Sequence, residues 1–485
     1  MHKSKLLTLL KSFSHLEIRK FHEYISSPYF NRNKTLIKFF NVLKKMYPEF
    51  SQEKISKDKI YNTLFPGKKF NEQVMKNLIT DLYRHCRDFL EIELYGHDKF
   101  ERKINLLKQL IDKKNDTAFL AELKILESDL SKQSELSEKN FYYMYLLEDL
   151  KISYHLIRNE QPLVFEKVLK SGEFLILFFH LHLSKTLYNL NVNRQSFNVS
   201  YKSNLPEMYF ENTNYENIIN YMKQKGIDFS ELIELYYYRI ICNTGLTNEN
   251  IYYKYKELLL KNTGKLKQDE IYGLFIAAEA FCLNKINGGS FEFIRELFEV
   301  YNIEIKNGVY KFSQSSPVTF MKFRNTYLTA LRLKKFEWTE EFIRKFKDDI
   351  IESDRDTVLK IALAQISFEK GNFEKVLDTL SGLKPELLYH KLDIRNLILM
   401  CHYENGYYDS VISLIDSFRH FLSGNASLSE AFRENNLRFI NALNSFILMK
   451  EKNQKDRIEE LKLSIMPYKH ERRIEWLLEK INKFL

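Results

Sequence analysis

Only 14 glycines and 8 prolines interrupt a chain of 485 residues, where ordinary usage of about 12% for the two together predicts roughly 60. Those two residues supply the backbone angles that tight turns, linkers and collagen-like segments depend on. Their scarcity excludes turn-dense β architectures and predicts an all-α chain. A hydrophobic fraction of 44% beside 28% charged residues is ordinary for a globular protein and excludes wholesale disorder.

Four cysteines, Cys86, Cys242, Cys282 and Cys401, lie far apart without paired spacing, which predicts neither a disulfide framework nor a zinc site and fits a reducing compartment. The amino-terminal Leu6–Leu10 apolar run is too short for a signal-peptide core. The most apolar stretch, Phe174 to Leu183, spans ten residues and contains His180 and His182, against the roughly 20 residues of a membrane helix. It reads as a buried helix. A cytoplasmic protein without a membrane span is expected.

The net charge of +10 is concentrated at one end. Residues 1 to 48 hold ten Lys or Arg against Glu17 and Glu23, a surplus of eight. The remainder is nearly balanced, so any claim on an anionic partner concerns this segment alone.

Helix signals begin there. Ser14 and Glu17 form a capping box for a helix over His15–Ser26 that buries Ile18, Phe21 and Ile25. A second helix, from about Lys34 to Met46, stops at Pro48. A third ends in the turn at Pro66-Gly67, and Asn71 caps a long fourth with Gly96 as its stop. These define an expected basic helical domain over 1–96. Helical hairpins and an Asn-rich connection are expected over 97–217, and repeated hairpins over 218–485. Within Tyr301 to Phe312, alternating apolar residues flank Asn307-Gly308, the pattern of a two-residue β-turn. A small β-hairpin is expected near 301–313, with Ile305 opposite Tyr310.

Toward the carboxyl end the pattern becomes periodic. Residues Leu363 to Pro385 match Leu397 to Phe418 on a shift of 35, placing Gly371 on Gly406, Phe373 on Tyr408, Val376 on Val411 and Leu380 on Ile415. Weaker copies carry Phe336, Thr339 and Ile343, and Phe291, Ile294 and Phe298. A glycine turns one helix onto the next, an aromatic wedges the pair, and one such pair cannot bury both faces, so copies must stack. Residues 320–420 resemble the tetratricopeptide family. The resemblance implies an α-solenoid of helical hairpins that holds a peptide or protein on the first helix of each pair, where Gln365, Asn396 and Tyr403 are the matching outward positions.

Catalytic chemistry finds little support. No phosphate-loop, zinc-protease or nucleophile-elbow motif occurs. His180 and His182, and likewise Cys401 and His402, diverge on a helix. Glu304-Ile305-Lys306 on a strand is the one pattern a metal-dependent nuclease could use, and Glu122-Leu123-Lys124 repeats it inside a helix. The expected function is therefore a non-enzymatic interaction or scaffold protein with a protein or peptide partner, no cofactor and no metal. The alternative is nucleic-acid binding or regulation through Arg19, Lys20, Arg32, Lys34 and Lys38, with an enzyme as a third reading.

Overall fold

The computed structural model describes residues 4–50, 55–133, 135–196, 203–243, 248–425, 428 and 430–485. Helices account for about four-fifths of them. The chain begins with α1 (Lys5–Ser12), α2 (His15–Ser26), α3 (Lys34–Lys44), α4 (Lys57–Leu64) and α5 (Glu72–His97). It continues through α6 (Lys99–Asp112), α7 (Asp116–Ser131), α8 (Glu138–Ile157) and α9 (Gln161–Ser196). Next come α10 (Leu205–Glu211), α11 (Tyr215–Lys225), α12 (Ser230–Asn243), α13 (Glu249–Asn262), α14 (Gln268–Asn287) and α15 (Phe293–Lys306). The carboxyl-terminal helices are α16 (Phe320–Arg332), α17 (Phe336–Phe346), α18 (Glu352–Glu369), α19 (Phe373–Leu380) and α20 (Leu388–Glu404). The series closes with α21 (Tyr408–Gly424), α22 (Glu430–Glu451), α23 (Lys455–Ile465) and α24 (Arg472–Phe484).

Two compact units divide the chain, one of Met1–Leu130 with Leu146–Lys167, the other of Ser131–Tyr145 with Val168–Leu485. In the first, α1 to α5 enclose a core in which Phe21 meets Phe13, Phe40 and Phe89 at 5.9, 4.8 and 5.4 Å. The expected capping box is present: Ser14 Oγ accepts from the Glu17 amide at 3.2 Å, and Glu17 Oε2 accepts from the Ser14 amide at 2.6 Å. Gly96 does not end α5. The helix runs to His97, and Asp98 caps α6 by accepting from the Glu101 amide at 3.0 Å.

One turn recurs through the second unit. Gly289, Lys334, Gly371, Gly406 and Asn453 all take left-handed backbone angles at the end of a helix. The amide three places past each helix end then reaches back across the last turn, as in Asn372 to the Ser367 carbonyl and Tyr407 to the His402 carbonyl, both at 2.9 Å. That bond satisfies carbonyls the helix would otherwise leave open. At these five ends the following helix folds back on the one before it, and alternate helices also touch: α12 packs on α14, α16 on α18, α18 on α20, and α22 on α24.

The expected hairpin near 301–313 is corrected by the same device. Tyr301–Lys306 complete α15, Gly308 stands at φ 70°, and the Val309 amide donates to the Glu304 carbonyl at 2.9 Å. Left-handed angles serve a β-turn and a helix stop equally, and here the helix claims them. Tyr310 then enters the helical core, 4.8 Å from Phe346, with its hydroxyl 2.7 Å from Thr326 Oγ1. Among the described residues the only β-type pairing is a single bridge between Leu136 and Leu266.

The apolar run on α9 is also corrected, since it is buried on one side only. Leu177 and Leu181 are in the core, whereas Leu175, Ile176 and Phe179 face solvent. Among the described residues no helix is long and apolar enough to cross a membrane. In the Asn-rich interval α9 continues to Ser196 and Asn204 caps α10; residues 197–202 lie outside the described set, as does Lys3 of the basic segment.

Candidate partner-binding groove

Along α20, Lys391, Ile394, Arg395, Ile398 and Leu399 recur at three- and four-residue steps and so share one face. Leu414 and Phe418 of α21 lie opposite, and Leu383, Lys384 and Pro385 of the preceding connection close one end. They bound an open groove of about 490 Å³. Its walls are apolar and its charged groups are Lys384, Lys391 and Arg395, with no carboxylate among the lining residues.

Arg395 is the most constrained of the three. Its guanidinium lies 4.6 Å from the Phe421 ring centroid and 5.8 Å from that of Phe418. Among the described residues its one hydrogen-bond partner is Ser417, whose Oγ accepts at 3.5 Å. Burial lowers the guanidinium's proton affinity, with no carboxylate opposing it. An arginine stacked this way keeps its charge while presenting its donor edge in a fixed plane. Sequence reasoning did not find this residue, because the signal is the absence of an acidic partner on two other elements.

A second concavity of about 410 Å³ includes Glu138, Lys185 and Glu270. Here the charges satisfy one another: Lys185 Nζ lies 2.8 Å from Glu138 and 2.6 Å from Glu270, and Tyr236 donates to Glu270 at 2.7 Å. This network leaves less free charge for a ligand than the α20 groove.

Two of the three expected docking residues are corrected. Asn396 is buried, its amide donating to the Leu392 carbonyl at 2.8 Å and to Asn436 Oδ1 at 3.0 Å. Tyr403 is buried against Trp476 at 5.3 Å. Both join α20 to later helices, because α20 is covered on more sides than a two-helix pattern implies. Gln365 is half-buried on α18. Of the expected anion contacts, Arg19, Arg32, Lys34 and Lys38 are exposed, whereas Lys20 is engaged by Glu93 at 2.5 Å.

The residues considered for catalysis do not converge. Glu304 is fully buried and meets Lys322 at 2.5 Å, with Glu279 on the same ammonium at 2.7 Å, while Lys306 faces solvent on the other side of α15. Burial, then Glu279, pushes the Glu304 carboxyl well above the usual range. All four cysteines are free and buried, and burial raises the thiols of Cys242, Cys282 and Cys401 to about 12. His180 is buried while His182 turns outward to Glu138 at 2.7 Å. Among the described residues no group of three or more His, Cys, Asp or Glu is placed to hold a metal ion. Comparison with protein-family models, curated proteins and solved structures finds no match to this chain.

Proposed function

We propose that this chain is a non-enzymatic binding protein whose helices α16 to α24 form a tetratricopeptide-like solenoid, and that a segment of a partner protein lies in the α20–α21 groove. The recurring left-handed turns and the packing of alternate helices support the solenoid reading. One observation carries the binding reading: an apolar groove whose charged lining residues are three cations, with no carboxylate among the lining residues. Such a surface complements a segment that alternates aliphatic or aromatic side chains with Asp or Glu. Apolar contact supplies affinity there, and charge supplies selection. Buried free cysteines support a reducing compartment, the cytoplasm.

Selection of random displayed peptides on the immobilised full-length chain tests the reading. Enriched peptides should combine acidic and large apolar residues, and Lys391→Glu/Arg395→Glu should lose them. Enrichment of basic peptides, or enrichment indifferent to those two substitutions, contradicts it.

A further inference from the structure

The outer face of α3 holds charge that no described residue neutralises. Lys34 and Lys38, with Lys45 just past the helix end, follow steps of four and seven and so align opposite the buried Leu36, Phe39, Phe40 and Leu43. The row advances by one turn and then two, about 6 and 10 Å. All three lysines are exposed, as is Arg32 immediately before the helix, and among the described residues none of the four pairs with a carboxylate.

The turn leading into α3 is rigid. Asn31 is buried, donating to the carbonyls of Ile25 and Asn33 at 2.9 and 3.3 Å and accepting from the Asn33 amide at 2.9 Å. Asn33 in turn caps α3 by accepting from the Thr35 and Leu36 amides. At the crest of this turn Tyr29 is 88% exposed. Phe30 braces its ring edge-on at 5.0 Å and itself stacks on Tyr24 at 4.6 Å, and Tyr24 lies 5.7 Å from Phe89 of the core. A large aromatic is thus held in water at the head of a cationic row.

From this juxtaposition we infer that the α2–α3 turn and the outer face of α3 bind single-stranded nucleic acid. The lysine row follows the phosphates, and Tyr29 stacks on an unpaired base. A nucleic-acid strand offers a phosphate at every nucleotide and a π-face on every base, which is the pairing of groups this surface complements. The site is separate in sequence and in its residues from the α20–α21 groove, so neither reading depends on the other.

Fluorescence anisotropy of the full-length chain with a labelled oligouridylate tests the inference. With three phosphate contacts, affinity should fall about twentyfold between roughly 50 and 200 mM salt. Lys34→Glu/Lys38→Glu/Lys45→Glu should abolish binding, with circular dichroism unchanged because these side chains are exposed. Tyr29→Ala should weaken oligouridylate about tenfold and leave a duplex of equal length unaffected. Absence of binding at the lower salt, duplex binding as tight as single-strand binding, or equal affinity for polyglutamate would overturn it.

Discussion

Arg395 stacks its guanidinium on Phe421 at 4.6 Å, in a groove that provides no carboxylate to meet it. The arginine is oriented by aromatic faces and left electrostatically open. Substituting Arg395→Glu should lower the thermal midpoint only modestly, since the stacking on Phe421 is lost but no ion pair is, yet weaken a selected acidic peptide at least tenfold. Arg395→Lys should fall between, because an ammonium keeps the charge and loses the plane. Titrations by anisotropy check both.

The Lys322, Glu279 and Glu304 cluster joins α14, α15 and α16 inside the second unit. Removing the cation with Lys322→Met leaves buried carboxyl groups uncompensated and should cost about 3–5 kcal/mol in urea unfolding. Glu304→Gln should cost far less, because the Glu304 carboxyl favours its neutral form. The sign in pH follows. A carboxyl whose folded pKa is raised stabilises the fold fully below its unfolded value, near 4.5, and that contribution is lost as pH rises toward the folded value. Glu304→Gln should flatten that loss in a series of unfolding curves.

His180 adds an acid-side sensitivity of opposite sign. Its ring is buried 5.1 Å from Tyr215, its Nδ1 has no hydrogen-bond partner among the described residues, and burial lowers its pKa to about 4. The unfolded chain takes up that proton first, so stability falls as pH drops from the unfolded value toward the folded one. The loss between pH 7 and pH 5 should be about 2 kcal/mol, and His180→Phe should remove it. Urea unfolding at the two pH values measures the difference.

The repeated turns predict contrasting glycine effects. A Cβ at Gly406 would meet no atom within 4 Å, so Gly406→Ala is opposed by its φ of 78° alone; it should destabilise by about 1–2 kcal/mol. Lys334 and Asn453 occupy the same conformation with side chains, at φ 57° and 52°. Lys334→Gly relieves that strain but gives up the Lys334–Glu369 ion pair at 2.6 Å, so it should raise stability by less than about 1 kcal/mol, and Asn453→Gly by less still, since asparagine tolerates this region. Denaturant midpoints decide.

Local chemistry was legible in the sequence, and tertiary encounters were not. The Ser14–Glu17 capping box and the Gly371 and Gly406 turns were readable because each is complete within a few residues. Asn307-Gly308 misled for the same reason, since a left-handed pair does not reveal whether a strand or a helix precedes it. Asn396 and Tyr403 looked outward from a two-helix pattern, but α22 and α24 cover them. Arg395 and the Lys322 cluster draw on elements far apart in the chain. Their meaning lies in which charges are paired, something spacing does not encode.

Hydrogen exchange of the intact chain with and without a selected acidic, apolar peptide decides whether the α20–α21 groove is a docking surface. Added protection should be confined to residues 383–399 and 411–422 and should disappear in the Arg395→Glu variant. Protection elsewhere, or the same protection in the variant, would contradict it.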